Sequence, residues 1–431
     1  MLTAEQNELL TRIGPGTPCG ELMRRYWHPI AAASELTGTK WNKRVRLLGE
    51  DLVLFKDREG RLGLITESCP HRRASLAFGI PTKEGIRCPY HGWEFARSGE
   101  CLAQPNEPEK SQFRHKVKTP AYAVEEVGGV IWAYLGPAES KPLVPRIDGF
   151  VREGTIRMLG RCVVPCNWLQ IMENSLDPVH TEWLHGHTYE FIKEQKGQAQ
   201  KVAISSHHEK IAFREFAHGI TKHRLLTGQS EDCDDWKVGH PIVFPNILSV
   251  GAGDERVDSR YYAFQIRVPM DDTHTMHLWY TAYVPPKAAK VPEHLLDKVV
   301  TYDVPYQDKN GDYILDNVDA QDIMAWITQG PIADRTIENL GASDNGIALY
   351  RRILRREIKK VEEGKDPMFT FRKAADNMCI DLPNEGDKHH NAEGIRSWMM
   401  RIHAAHSPIT DEVCKIYETH KPAPRPLRAV S

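Results

Sequence analysis

Cys69-Pro70-His71-Arg72 and Cys88-Pro89-Tyr90-His91 are the two stretches on which the reading of this chain turns. They offer two thiols and two imidazoles as Cys-x-His, sixteen intervening residues, then Cys-x-x-His. Two short loops of that kind close round one metal centre. The mixed donor set narrows which centre. A [2Fe–2S] cluster with two Cys on one iron and two His on the other takes one Cys and one His from each of two opposed hairpin tips, and its imidazoles raise the potential above that of an all-Cys cluster. The competitor is a structural Cys2His2 zinc, but such modules usually open with two Cys spaced by two to four residues. The cluster is the better reading, with Cys69, His71, Cys88 and His91 as its ligands.

The sequence around these loops is written in strands. From about Trp41 to Gly136, short alternating runs such as Arg44–Leu48, Leu52–Phe55, Leu62–Ile65 and Val130–Leu135 are separated by turn signals at Asp57–Gly60 and Arg97–Glu100. That is a small antiparallel β domain, residues 41–145, from which both loops hang. Trp93 and Phe95 follow the second loop and read either as an apolar cover over the cluster edge or as ordinary strand core. Before it, residues 1–40 form a helical lead-in, with helix from Thr3 to Tyr26 broken at Gly14–Pro18 and restarted behind Thr17 as a cap. A proline-rich seam at Pro142–Pro145 marks the boundary to a mixed domain, residues 146–431. There Val202–Ser205, Tyr261–Ile266 and Met276–Tyr280 read as strands. Asp344–Glu362 reads as the longest helix, with an apolar stripe and the pairs Arg351-Arg352 and Arg355-Arg356 on a solvated face. His420–Ser431 is an extended arm.

Composition excludes several classes. The 56 Lys and Arg balance 58 Asp and Glu, so no electrostatic footprint for nucleic acid or an acidic membrane is present. No run of about eighteen apolar residues exists, and the amino end has no apolar signal core. Nine scattered Cys do not make a disulfide framework. A reducing, cytoplasmic setting is expected, which cluster thiolates need.

A second set of ligand-type residues lies in Asn174-Ser175-Leu176-Asp177-Pro178-Val179-His180-Thr181-Glu182-Trp183-Leu184-His185. His180 and His185 are five apart, and a helix that loosens there turns both imidazoles toward one metal. Two His with one distant carboxylate form the facial triad of mononuclear non-haem Fe(II) oxygenases, which leaves positions open for O2 and substrate. Alone, a spaced His pair is weak; beside a two-Cys, two-His cluster motif it gains force, one centre carrying electrons singly and the other activating dioxygen.

With both sets in one chain, the sequence resembles the oxygenase component of the Rieske non-haem iron oxygenases along nearly its whole length. Asn174, Asp177, His180 and His185 match the family's Asn-x-x-Asp-x-x-His-x4-His signature. The resemblance implies an α+β chain: an N-terminal antiparallel Rieske [2Fe–2S] domain and a C-terminal helix-grip (START-like) catalytic domain with mononuclear iron. It also implies that Asp177 bridges a cluster histidine of one subunit to an iron-ligand histidine of its neighbour, in a homo-oligomer, most often a trimer. The segment Gln321–Arg335 resembles the one that supplies the third ligand in phthalate-dioxygenase-like members, which gives Asp322 that role; Asp319, a helical turn earlier, is the alternative, and Asp334 is expected to pair with an arginine or cap a helix. No dinucleotide fingerprint is apparent, so electrons come from a separate NAD(P)H-dependent reductase, directly or through a ferredoxin.

The stretch Gly330–Gly341 and the helix after it resemble the branch acting on aromatic acids. A carboxylate substrate needs a cation, preferably an Arg fork. Phthalate enzymes use two arginines here, whereas this chain has no Arg between Arg224 and Arg256 and carries His207-His208 where the first would stand. Arg214, Arg224, His207 and His208 are the substrate-site candidates, with Lys222 and Lys237 as further cations. O-demethylation of a methoxylated, lignin-derived aromatic acid is the favoured reaction. Ring dihydroxylation of the phthalate, chlorobenzoate or phenoxybenzoate type is its alternative, and an electron-transfer Rieske protein without a second metal is the rival from another class.

Overall fold

The computed structural model describes residues 1–108, 110–254, 259–384 and 394–420. Two antiparallel sheets form the N-terminal part. One has six strands in the order Trp27–Ala32, Val130–Tyr134, Ala121–Val127, Leu62–Thr66, Glu50–Lys56, Asn42–Leu47; the other has four, from Ile80–Pro81 through Gly85–Arg87 and Glu94–Ala96 to Cys101–Ala103. Alternation sets which side faces inward: in Arg44-Val45-Arg46-Leu47, Val45 and Leu47 are buried while the arginines reach outward. The turn at Asp57 is closed by its carboxylate, which accepts from the Glu59 and Arg61 amides, and Gly60 supplies the positive φ that follows.

The lead-in is helical where the caps predict. Ala4–Thr11 starts from Thr3 in a capping box with Gln6, and Pro18–Met23 starts from Thr17, whose hydroxyl accepts from the Gly20 amide. Trp27–Ala32, within the stretch expected to be lead-in, is instead a strand paired with Val130–Tyr134.

The C-terminal part is built on an eight-stranded sheet in the order His208–Phe216, Gly219–Leu226, His240–Val243, Ile247–Asp254, Ser259–Asp271, His274–Val284, Ile156–Val164, Val299–Asp303. Only the last pairing is parallel. The helix Asn345–Glu362 lies against one face, where Gly346 meets the Phe213 ring and Ile347, Ile353, Leu354 and Ile358 join the core shared with Phe264 and Ile266. On the other face, Trp279, Tyr283, Ile323 and Trp326 form a second core under the helix Val318–Thr328. The two parts are joined where Leu48 and Gly49 donate to Pro269 and Met270 carbonyls and Arg46 pairs with Asp271 at 2.8 Å. No described helix is long and apolar enough to cross a membrane.

Two expectations are corrected. Val202–Ser205 is not a strand: Ala203–Ser205 is a helical turn, because the Ser205 hydroxyl donates to both the Val202 carbonyl and Glu190, which favours a tight local turn over a ladder. Nor is Arg351 solvated. It is buried, with Nε 2.7 Å from Glu173 and Nη2 2.8 Å from Glu338, while Arg352 and Arg356 keep the exposed face. The expected arm after His420 lies outside the described residues.

Glu173, on the helix Trp168–Ser175, receives a second buried guanidinium from Arg335 at 2.7 Å. Burial opposes its ionisation, but Arg335 and Arg351 outweigh that and hold its pKa below the ordinary 4.5. A carboxyl lowered in this way contributes stability above its unfolded pKa and loses it as pH falls through the folded value. Glu173→Gln should therefore cost about 3–5 kcal/mol in denaturant unfolding at neutral pH, because two buried cations lose their shared anion. That deficit should narrow as the wild type is acidified below about pH 4.5.

Candidate metal centres

The first centre sits at the tips of two loops of the small β unit. Cys69 and His71 follow the strand Leu62–Thr66; Cys88 and His91 cap the hairpin between Gly85–Arg87 and Glu94–Ala96. Each loop folds back on its own cysteine: the Arg73 amide donates to the Cys69 carbonyl, and the Gly92 amide to that of Cys88 at 3.0 Å. Gly92 takes φ +75°, and a Cβ there would come within 2.8 Å of Pro105, so the second loop requires glycine. The thiols are buried and the imidazoles reach toward the surface, their ring centroids 4.7 Å apart.

The donor set fits a cluster. Burial pushes the Cys69 thiol up to about 11, but the His71 and Arg72 amides point at its sulfur and favour the thiolate, as they would when an iron is bound. Trp93 stacks on His71 at 4.4 Å and 8°, which is the apolar cover; Phe95 is fully buried in the strand core beneath.

The second centre lies between helices. Trp168–Ser175 leads to a short turn, His180–Glu182, and the chain then widens into a π-helix over Trp183–Thr188. The wider turn brings residues five apart onto one face, and the rings of His180 and His185 lie 5.2 Å apart, edge to face. Asp322 projects from Val318–Thr328 toward both: its Oδ1 is 3.2 Å from His185 Nε2 and 3.7 Å from His180 Nε2. One ligand atom from each residue lies within 4.8 Å of the others, which is room for one ion.

Neighbouring groups orient the donors. Gln321 Oε1 lies 2.9 Å from His185 Nδ1, so that nitrogen donates and Nε2 is left free to bind a metal. Asn174 donates to Asp322 at 3.4 Å. Asp177 accepts from the Val179 and His180 amides, with Oδ2 3.7 Å from His180 Nδ1. Burial opposes its ionisation, but the bonds from His180 and the backbone prevail and hold the carboxyl at about 2. Asp319 belongs elsewhere: it accepts from Trp279 Nε1 at 2.7 Å and from the His403 amide, and burial raises its pKa to about 7. Asp334 accepts from Thr336 and pairs with no arginine among the described residues.

The Rieske [2Fe-2S] domain family matches residues 26–122, and the family "LigXa C-terminal domain like" matches residues 309–380. The oxygenase subunit of 5,5'-dehydrodivanillate O-demethylase from Sphingobium sp. (strain NBRC 103272 / SYK-6) is 41% identical over 387 residues, covering 89% of this chain and 87% of the relative. This chain belongs to the Rieske non-haem iron oxygenases. The phthalate 4,5-dioxygenase oxygenase subunit of Pseudomonas putida is 32% identical, over 87% of this chain and 90% of the relative. Among solved structures, NdmA of Pseudomonas putida CBB5 shares the fold at a TM-score of 0.59 and 18% identity, covering 80% of this chain and 94% of that one. The chain is thus an oxygenase component whose cofactors are a Rieske [2Fe–2S] cluster and mononuclear iron, with O2 as co-substrate. Components of this kind take electrons from a reductase or ferredoxin and are often oligomers.

The substrate candidates from the sequence do not converge on one place. Arg214 and His207 are exposed. Arg224 is buried and donates to Thr181 at 3.3 Å, and His208 Nδ1 lies 2.9 Å from Glu182, so both brace the helix that carries His180. Gln321 was not anticipated; an amide directly before a ligand carboxylate was the signal. Gln321→Leu should weaken retention of the mononuclear iron about 10- to 100-fold while leaving the cluster intact. Iron-to-sulfide ratios after chelator challenge, read beside the visible absorbance of the cluster, check this.

Proposed function

We propose that this chain is the terminal oxygenase of an aromatic-acid O-demethylase, with Cys69, His71, Cys88 and His91 holding the cluster and His180, His185 and Asp322 holding the iron. The similarity to a dehydrodivanillate O-demethylase oxygenase subunit over 89% of the chain carries this reading. When bound, the iron supplies the activation of O2 with electrons delivered by the cluster. The chain's own residues do the rest. His185 is fixed in one tautomer by Gln321, and Asn174 steadies the Asp322 carboxylate. The Trp279 and Trp326 rings, both buried, make the core of the sheet face beneath Asp322 aromatic. One oxygen atom would enter a methyl C–H bond and the resulting hemiacetal would release formaldehyde and leave a phenol, while the other oxygen would leave as water on taking up two protons and two electrons supplied by the external reductase.

The same reading divides the chain into a helical lead-in, a Rieske domain that takes in the strand Trp27–Ala32 and runs to residue 145, and a catalytic domain at 146–431. It also makes the working unit a ring, most simply a trimer, fed by a cytoplasmic NAD(P)H-dependent reductase directly or through a ferredoxin. Support comes from the surface. Trp183, within the segment from Asp177 to His185, and Phe191 beyond it are 61% and 56% exposed, and Tyr90, 56% exposed, adjoins His91. Large exposed aromatics beside both centres suit a head-to-tail contact, the kind of interface from which closed rings are built. Asp177 would then accept from a cluster imidazole of the neighbouring copy.

Reduced holoenzyme given O2 and a panel of methoxylated aromatic acids should yield formaldehyde in step with substrate loss. A cis-diol without formaldehyde would instead establish the ring-dihydroxylation reading that the phthalate relative favours. Asp177→Asn should retain both metals and cut turnover by orders of magnitude, with the cluster still reducible in a rapid-mixing experiment. An unchanged turnover would remove Asp177 from the electron path.

A further inference from the structure

Two polar side chains on the sheet face beneath Asp322 have no place in the structure described so far. Arg267, on the strand Ser259–Asp271, is fully buried. Its Nη1 and Nη2 donate to the carbonyl and the side-chain oxygen of Gln265 at 2.9 and 2.8 Å, and among the described residues its Nε has no partner. Among the described residues no carboxylate pairs with it; Asp322 and Asp319 act on it only through their fields. His277 is its cross-strand neighbour, so the two side chains share a face. His277 is also fully buried, and neither ring nitrogen has a hydrogen-bond partner among the described residues.

Their surroundings identify which face this is. The His277 ring lies 4.2 Å from that of Trp279 and 5.1 Å from that of Trp326. Trp326 is one helical turn beyond Asp322, and Trp279 donates to Asp319, one turn before it. The helix that bears the metal-facing carboxylate therefore covers Arg267 and His277.

A buried cation without a counter-charge is costly, and buried polar atoms are otherwise nearly always satisfied. Burial depresses the Arg267 guanidinium to about 9 and keeps His277 neutral. Folding gains nothing from such a pair. An arriving anion does: the free Nε and an Nη edge offer a carboxylate the fork that arginine alone supplies, and a neutral imidazole adds one further N–H.

We propose that Arg267 and His277 form the subsite for the substrate's anionic group, a ring carboxylate, with Trp279 and Trp326 alongside the ring. The inference rests on the aromatic-acid reading above and assigns the residues that select it. Neither residue is among the cations expected from the sequence: Arg214, His207 and Lys237 are exposed, Arg224 and His208 lie against Thr181 and Glu182, and Lys222 is buried on the strand Gly219–Leu226.

The test is equilibrium binding to oxidised, anaerobic holoenzyme, followed by protein fluorescence. The probes are methoxylated benzoates, a methoxylated biphenyl dicarboxylate, and the methyl esters of each. Wild type should bind acids roughly 10- to 100-fold tighter than esters, the range for hydrogen bonds to a charged group. Arg267→Met should bind both alike, with the loss in KM rather than kcat, and should melt no lower than wild type without ligand, because a buried unpaired charge has been removed. Acid should raise the melting temperature of wild type but not of that variant. Arg267→Lys, which keeps the charge and loses the fork, should fall between; it also decides the matter if the Met variant fails to fold. His277→Phe should lose a smaller part of the discrimination.

Acid-over-ester preference that survives in Arg267→Met, or in Arg267→Lys at wild-type strength, overturns the subsite while O-demethylation of acids stands. Wild type that binds and demethylates neutral arenes but ignores acids overturns the aromatic-acid reading and the subsite with it.

Discussion

The buried junction of Glu173 with Arg335 and Arg351 is the constraint on which the catalytic half depends. It ties three segments that are remote in sequence: the helix leading to Asn174 and His180, the loop after the Asp322 helix, and the long helix under the sheet. One residue turn away, Gln170 donates to the Trp326 and Gly330 carbonyls and accepts from the Ala333 amide. Between them, Gln170 and Glu173 fix the distance between the helix that presents two imidazoles and the helix that presents the carboxylate. A buried ion pair is weak evidence of net stability, because desolvation offsets most of the attraction. Its value here is registry: an apolar contact would tolerate a sliding helix, whereas guanidinium forks on one carboxylate do not.

The two centres solve the same problem by opposite means. The cluster ligands are placed by local backbone closure, with each cysteine accepting from an amide a few residues on, and with Gly92 allowing the turn. Such loops depend on few distant contacts. The iron site is assembled from Asp322 and two histidines well over a hundred positions before it, so its geometry is set by packing between helices. The π-helix over Trp183–Thr188 is the local adjustment that makes this work, since an ordinary α-helix would splay residues five apart.

This contrast also explains what could be read from the sequence. The cluster loops, their hairpins and the lead-in caps at Thr3 and Thr17 were legible because each rests on residues within a few positions of one another. His180, His185 and Asp322 were legible through a motif and a resemblance; spacing alone left Asp319 open, and it took the Trp279 and His403 contacts to place it elsewhere. Arg351 was misread because helical periodicity counts charge as exposure, and its burial depends on Glu173, well over a hundred positions away. Val202–Ser205 was misread because alternation cannot register a serine that bonds back to its own turn. Gln321, Arg267 and His277 left no periodic trace at all.

The buried arginines Arg267, Arg335 and Arg351 therefore carry different meanings, and the difference lies in their partners. Arg335 and Arg351 reach carboxylates within 2.7 Å, and every such contact joins elements of the fold. Among the described residues the Arg267 side chain bonds only Gln265, two residues away on its own strand, which joins no second element. A chain selected for stability alone would place methionine or leucine there, since a strand whose opposite face carries Phe264, Ile266 and Val268 has no structural need of charge. Retaining a guanidinium under the helix of Asp322 lowers the stability of the empty protein and raises its affinity for an anion arriving beside the iron. The uncompensated charge is thus best understood as half of an ion pair whose other half is the substrate.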